Sequence, residues 1–281
     1  MRTVYLNGQL LAEDQASISV FDRGFLLGDG IYEVIPSYAG VLFRLTEHLG
    51  RLQNNLNAVQ LANPLTDQEW SLLLKDLLAR NGGGDQSLYL QVTRGVAVRD
   101  HAFPDNVKPT VFVMSHPSGR INPETLTEGV KAVCLADNRW LNCHLKTISL
   151  LPNVLLRQQA VEQGAVEAIL IRDGYATEGA ASNVFVVKQG SIMTPPKGPY
   201  LLPGITRDLI LELAAKHQLP HEEKALSQAV VEDADEIWLT SSTKEVLPVT
   251  QLDGRPVGDG KPGPVWRKMH RHYADYKASL R

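Results

Sequence analysis

The sequence predicts two domains, a small N-terminal α+β domain followed by a larger α/β domain built on a mixed sheet. Three observations carry that expectation. In the first third of the chain, short apolar runs joined by hairpin turns surround two helical patterns. A stretch rich in Pro, Gly and hydroxyl residues then interrupts the pattern at 116–129, and beyond it strand and helix patterns alternate. A chain of 281 residues is long enough for two such domains, each with its own core.

The stretch TVYLNGQLL sets an Asn-Gly pair between apolar runs, the strongest local hairpin signal, and GIYEVIPSYAGVLFRL repeats the arrangement around Ala39-Gly40. Two helices follow. In TEHLGRLQNNLNAVQ, Leu49, Leu52, Leu56 and Val59 share one helical face behind Thr46, the expected N-cap. In TDQEWSLLLKDLLARN, Thr66 has the same expected role and GGG ends the helix. Strands resume in SLYLQVTRG and TVFVMSH and close the first domain, 1–117. The segment HPSGRINPETLTEG places the inter-domain linker at 118–128.

The second domain, 129–281, opens with the strand VKAVCLAD, which leads to a helix expected to carry Lys146 at its start. Lys146 stands just ahead of Ile148, Leu150, Leu151, Val154 and Leu155 in WLNCHLKTISLLPNVLLRQQA. Next come the strands EAILIRDG and SNVFVVKQGSIMT, the helix ITRDLILELAAKHQ, the strand EIWLTSS and a last helix from about Pro264. There is no internal repeat and no low-complexity tract.

Composition narrows the function. With 43% hydrophobic and 21% charged residues the chain reads as an ordinary soluble globular protein. A net charge of -3, a pI near 6.2 and the lack of a Lys/Arg stripe with aromatic residues between argue against nucleic acid. No apolar run reaches the roughly 20 residues of a membrane span, and the start MRTVYLNGQLLAED lacks the apolar stretch of a secretory signal. A cytoplasmic location is expected. The two cysteines, Cys134 and Cys143, form no disulfide framework, and Cys143 beside His144 has no second ligand pair at a zinc-like spacing, so no metal is expected.

Lys146 is then the residue to explain. An ordinary lysine at a helix start snorkels to water, but one whose pKa is pulled below about 10.4 by desolvation or a nearby cation becomes a nucleophile toward carbonyls. GITRDLILEL is a Gly-led turn into a helix, where unpaired N–H groups favour an anion, or where Thr206 simply caps. EIWLTSSTKE ends an apolar strand in Thr240, Ser241, Ser242 and Thr243, which can donate to phosphate oxygens or form a Ser/Thr turn. GYATEGAASNVF sets Glu178 between Gly-flanked turns ahead of a buried strand, where it is a solvated loop carboxylate or a partner for a ring nitrogen. Together they fit a cofactor with an aldehyde, a phosphate and a basic ring nitrogen, pyridoxal 5′-phosphate (PLP).

Seven ordered blocks resemble one family nearly end to end: DRGFLLGDGIYEV, EHLGRL, LYLQVTRG, RWLNCHLKTISLLPNVL, TEGAASNVF, GITRD and LTSSTKEVLPV. They are similar to the fold type IV PLP-dependent enzymes, which include D-amino-acid aminotransferase, branched-chain aminotransferase and aminodeoxychorismate lyase, and the likeness is nearest the first. The resemblance implies a barrel-like sheet in the larger domain. It makes Lys146 the Schiff-base lysine, which also moves the substrate's Cα proton, and Glu178 the carboxylate facing the pyridine nitrogen. It gives the phosphate to Arg51, Ile205, Thr206, Ser241 and Ser242. By pattern alone Arg51, beside the apolar stripe of its helix, reads as surface. Tyr32, Arg99 and His101 resemble the grip on the substrate carboxylate, with Arg99 and His101 on a loop given to the neighbouring subunit, hence a homodimer. Ala180 and Ala181 depart from the serines found there in the D-specific enzymes. The implied activity is transfer of the amino group of a D-amino acid such as D-alanine to a 2-oxo acid such as 2-oxoglutarate. Branched-chain L-amino-acid transamination and aminodeoxychorismate lyase chemistry are the alternatives.

Overall fold

The Asn7-Gly8 turn joins β1 (Thr3–Leu6) to β2 (Gln9–Ala12) in the computed structural model, which describes residues 2–119 and 121–280. The chain divides into two units, one of Met1–Gly119 with Leu145–Leu150 and the other of Arg120–His144 with Leu151–Arg281.

The first unit continues with α1 (Arg23–Leu27), β3 (Gly30–Tyr38), β4 (Val41–Leu42), α2 (Leu45–Ala58), α3 (Asp67–Arg80), β5 (Gln86–Thr93) and β6 (Thr110–Pro117). Its six strands form an antiparallel sheet in the order β2-β1-β6-β5-β3-β4. The period of two is plain in β5, where Leu88, Leu90 and Val92 are fully buried. They pack with Ile31 and Ile35 of β3 against Leu49, Leu52 and Leu56 of α2 and Trp70, Leu74 and Leu77 of α3. Thr66 caps α3 in a reciprocal capping box with Glu69, as its sequence signals. Thr46 does not cap α2. The N-cap is Arg44, in the left-handed region at φ 54°, and Thr46 lies inside the first turn.

The second unit contains α4 (Pro123–Glu128), β7 (Val130–Ala136), α5 (Leu151–Glu162), β8 (Glu167–Arg172), β9 (Tyr175–Gly179), β10 (Asn183–Lys188), β11 (Ser191–Thr194), α6 (Ile205–Lys216), β12 (His221–Glu223), β13 (Leu226–Ser227), α7 (Gln228–Glu232), β14 (Glu236–Ser241), β15 (Glu245–Leu252), β16 (Arg255–Pro256) and α8 (Pro264–Ala278). Its ten strands make one curled mixed sheet in the order β12-β11-β10-β14-β15-β7-β8-β9-β13, with β16 on β15. The pairs β11–β12, β15–β7 and β7–β8 are parallel. Val130, Ile169, Val184, Val186, Ile237, Leu239 and Val249 form one core of this unit. Leu156 and Ala160 of α5 pack on Ala168 and Leu170 of β8 in another. Glu236 accepts from the Val265 and Trp266 N–H groups at 2.8 and 2.7 Å and so caps α8 from a strand. The segment 118–128, read as linker, carries α4, capped by Asn122 with Pro123 in its first turn. Among the described residues no helix is long and apolar enough to cross a membrane.

Lys146 is not on a helix. Helix α5 begins only at Leu151, because Pro152 fits a first helical turn and no later position. The residues just before it, Leu145–Leu150, form no helix and belong to the first unit. The Tyr32 N–H donates to the Lys146 carbonyl at 3.0 Å, and the Ile148 N–H donates to the Gly30 carbonyl at 3.1 Å. Thr147 thus forms a bridge with Ile31 beside β3.

Candidate active site

In the first unit, β3 alternates across the sheet, so Tyr32 and Glu33 point to opposite faces. On the Tyr32 face the Lys146 ammonium nitrogen lies 4.1 Å from the ring centroid, a cation–π distance. Tyr32 is itself stacked on Tyr89 at 5.6 Å, which holds the ring plane under the amine. Lys146 is half-buried, so its amine is neither sealed in the core nor free in water.

On the other face Glu33 is fully buried and meets α2. Arg51 donates to it twice, through Nε at 2.7 Å and Nη2 at 2.8 Å, and His48 Nδ1 approaches Oε2 at 2.8 Å. Burial opposes ionisation of Glu33, but Arg51 and His48 outweigh it and hold the carboxyl well below the usual range. Burial pushes the His48 imidazole down, and the charges of Arg51 and Lys146 add to that despite the pull of Glu33. Arg51, which pattern alone puts at the surface, is therefore a buried cation whose guanidinium is oriented by a strand carboxylate. Arg99 and His101 are exposed on the loop between β5 and β6.

In the second unit Glu178 lies near the end of β9, nearly fully buried. Arg139 Nη1 donates to its Oε1 at 2.5 Å, while Asn183 Nδ2 and the Leu202 N–H donate to Oε2 at 3.2 and 3.0 Å. Arg139 is shared. It grips Asp137 bidentately, Nε to Oδ1 at 2.9 Å and Nη2 to Oδ2 at 3.0 Å, and this pairing holds Asp137 below the ordinary carboxylate range against burial. Glu178 receives only the remaining Nη1 and feels the charge of Asp137 as well. Burial therefore pushes its carboxyl up to about 7, against the lowering pull of Arg139 and Leu202. Ala180 and Ala181 supply no donor to Glu178. The hydroxyl that follows them, on Ser182, donates to Glu167 at 3.1 Å instead.

Asn183 ties Glu178 to the start of α6. Besides Glu178, its Nδ2 reaches the Leu202 carbonyl at 2.8 Å. A Cβ at Gly204 would sit 2.0 Å from Asn183 Oδ1, so only glycine lets the turn approach this closely. Gly204 is the N-cap of α6 and provides no side-chain hydrogen bond; Ile205 and Thr206 are buried in the first turn, and Thr206 does not cap. Asn183 also pairs in register with Thr240 at the end of β14, which brings Ser241 and Ser242 to the same end of the sheet. Thr240 Oγ1 is buried with no hydrogen-bond partner among the described residues. The structure thus gathers Glu178, Ile205, Thr206, Ser241 and Ser242 within the second unit, and Lys146, Tyr32 and Arg51 within the first.

Glu33, His48, Asp137, Arg139 and Asn183 escaped the sequence reading. Two signals could have found most of them. Glu33 interrupts the apolar alternation of Ile31 and Ile35, and a charge at a core-facing position demands a partner. Asp137 and Arg139 stand two apart just past the buried strand β7.

A match to the family model for amino-transferase class IV spans residues 30–252, and the chain belongs to that family. It is a PLP-dependent aminotransferase of fold type IV. The chain is 42% identical over 266 residues to a D-alanine aminotransferase of Bacillus licheniformis, covering 95% of this chain and 94% of that one. It is 39% identical over 277 residues to a D-alanine aminotransferase of Staphylococcus haemolyticus, covering 98% of each. Among solved structures, a branched-chain amino acid aminotransferase of Escherichia coli superposes with a TM-score of 0.91 at 26% identity, over 98% of this chain and 94% of that chain.

The residues present fit the cofactor. A carboxyl raised this far by burial is stabilised by a cation brought against it, which a protonated pyridine nitrogen provides. An uncapped helix start beside the unsatisfied Thr240 hydroxyl suits an anion. Glu178→Gln keeps the shape and removes the charge. Its expected effect is a loss in kcat on the order of 10²- to 10³-fold with the fold retained, the scale of removing one electrostatic group at a reacting centre. A kcat within about twofold of the wild type would assign the ring nitrogen to another residue.

Proposed function

We propose that this enzyme moves the amino group of a D-amino acid such as D-alanine to a 2-oxo acid such as 2-oxoglutarate. The observation that carries this reading is the identity of about 40% over almost the whole chain with D-alanine aminotransferases. The branched-chain enzyme matches the fold as fully but at 26% identity, and branched-chain L-amino-acid transamination is the second reading.

PLP, when bound, supplies a carbonyl that takes up the amino group and a protonated ring that withdraws electrons from the substrate's Cα. Lys146 Nζ is the amine that would hold it covalently, and the same nitrogen would take up and return the substrate's Cα proton. The Tyr32 ring, itself stacked on Tyr89, keeps that amine in place. Glu178 holds the proton at the ring nitrogen, with Arg139 and Asn183 orienting its carboxylate. The Ile205 and Thr206 N–H groups at the start of α6, the Ser241 and Ser242 hydroxyls and Arg51 bind the phosphate. Tyr32, Arg99 and His101 bind the substrate carboxylate, and where that carboxylate is clamped decides which Cα substituent Lys146 meets, hence D or L.

Arg99 and His101 serve the partner's site in a homodimer. Both are exposed in the single chain, and around their loop Val98 is 88%, Phe25 67%, Phe21 60% and Phe103 53% exposed, an apolar patch suited to burial against a second copy. The cytoplasm is where we place the enzyme; its two cysteines are free thiols.

Arg99→Ala should raise KM for D-alanine and 2-oxoglutarate and lower kcat/KM roughly tenfold to a hundredfold, the worth of a charge-assisted bidentate contact. The cofactor spectrum should be intact. Mixing Arg99→Ala with Lys146→Ala protein should restore part of the activity after subunit exchange, because one site of the mixed dimer carries both lesions and the other neither. Unchanged D-alanine kinetics in Arg99→Ala would remove the D-specific reading, and proven exchange without recovery would place Arg99 in its own subunit's site.

A further inference from the structure

The loop between β5 and β6 leaves the sheet at Gly95, whose φ of 98° and whose Cβ position 2.0 Å from the Lys108 carbonyl oxygen both require glycine. The loop projects exposed side chains, yet its backbone is held from beneath by buried charge. Arg23, at the start of α1 and 2% exposed, donates from Nη1 to the carbonyls of Asp100 at 2.6 Å and Ala102 at 3.2 Å, the two residues that bracket His101. Its Nε donates to Asp29 at 2.8 Å. Asp29 also accepts from Arg94 Nε at 2.8 Å and Nη2 at 3.1 Å. Arg94 is fixed further by the carbonyls of Val59 at 2.8 Å and Gln60 at 3.1 Å, and its guanidinium lies 3.7 Å from the ring centroid of Phe103 at the far side of the loop. The Arg23 and Ala97 N–H groups, donating to the Gly95 and Phe21 carbonyls, close the near side.

We propose that Arg23, Asp29 and Arg94 are a positioning cluster for the substrate-carboxylate clamp, with Arg23 setting the backbone that presents Arg99 and His101; this rests on the clamp reading above. Two buried arginines on one carboxylate are an expensive arrangement for a loop support, since a single cation neutralises Asp29. The second cation has a use here: Arg23 gives Nε to Asp29 and Nη1 to the loop carbonyls, while Arg94 pairs with Asp29 through Nε and Nη2 and lays its guanidinium against Phe103 on the other side of the same loop. A guanidinium does this because its donors lie in a rigid plane, so fixing Nε on Asp29 aims Nη1 at the loop. Lysine keeps the charge beside Asp29 but cannot reproduce that fork.

Arg23→Lys is the test, in steady-state kinetics with D-alanine and 2-oxoglutarate. The expected result is KM raised about tenfold for both substrates with kcat changed less than about threefold, because a displaced clamp weakens binding while Lys146 and the cofactor stay in place. The cofactor absorbance is expected to be unchanged. In an Arg99→Ala/His101→Ala background, Arg23→Lys should add less than about twofold to KM, since both side chains that the loop presents are then gone and nothing is left to position. Phe103→Ala removes the Arg94 stack and, in protein shown to keep its oligomeric state, should raise KM in the same non-additive way. KM unchanged in Phe103→Ala and in folded Arg23→Lys, or effects that add fully to the Arg99→Ala/His101→Ala double substitution, overturns the inference while leaving the clamp standing. If Arg99→Ala itself leaves KM unchanged, the clamp reading fails and the positioning role falls with it.

Discussion

Lys146→Ala is expected to lower amino transfer from D-alanine on the order of 10⁴-fold or more, because in the roles proposed for it Lys146 is both the covalent anchor of the cofactor and the group that carries the Cα proton. The absorbance near the visible edge given by the lysine–cofactor link should vanish with it. Lys146 lies at 4.1 Å over Tyr32, and its backbone is pinned by the Tyr32 N–H, so the amine is placed by β3 rather than by a helix of its own. Borohydride reduction of the wild type should tag the peptide containing Lys146. A tag on another lysine, or a Lys146→Ala enzyme that retains the absorbance band and its turnover, would sink the assignment.

Glu33→Gln is expected to cost about 3–5 kcal/mol of stability, the range for withdrawing one partner from a buried ion pair. In a chain of this size that is a fall in Tm on the order of 10 °C. The substitution preserves volume and removes the charge to which Arg51 donates twice and His48 once. The pH dependence follows from the direction of the Glu33 shift. Its carboxyl is depressed in the folded protein relative to an ordinary value of 4.5, so its stabilisation is fully present above that value and is lost as the pH falls toward the depressed one. The Tm gap between wild type and Glu33→Gln should therefore be widest near neutrality and narrow on acidification. A gap absent at pH 7, or one that widens in acid, would contradict the buried pair.

The features legible in the sequence are those decided locally. The Asn7-Gly8 hairpin and the Thr66 capping box depend on neighbours a few residues away, and both stand where the sequence puts them. The missed features depend on partners far along the chain. The apolar spacing after Lys146 extrapolates to a helix, but the residues ahead of Pro152 pair with Gly30 and Tyr32 instead. Arg51 reads as surface until Glu33, eighteen residues earlier on a strand, turns it inward. Strand β15 is not among the expected elements; Pro248 argues against a strand locally, yet it pairs in register with Trp238. For the site, local chemistry suggests Lys146 and Glu178, and the family resemblance is needed for Arg51, Arg99 and His101. The support around them, Arg139 behind Glu178 and Arg23 behind the clamp loop, is invisible without coordinates, because each acts through backbone or carboxylate groups distant in sequence.

The central claim is that this is a PLP enzyme that takes its amino group from a D-amino acid. The most direct measurement is the absorption spectrum of the pure, cofactor-loaded protein as D-alanine and, in a separate sample, L-leucine is added without any oxo acid. The account predicts that D-alanine converts the visible-edge band to the shorter-wavelength absorbance of the aminated cofactor while releasing pyruvate, and that L-leucine leaves it unchanged. Conversion by L-leucine with none by D-alanine would contradict it.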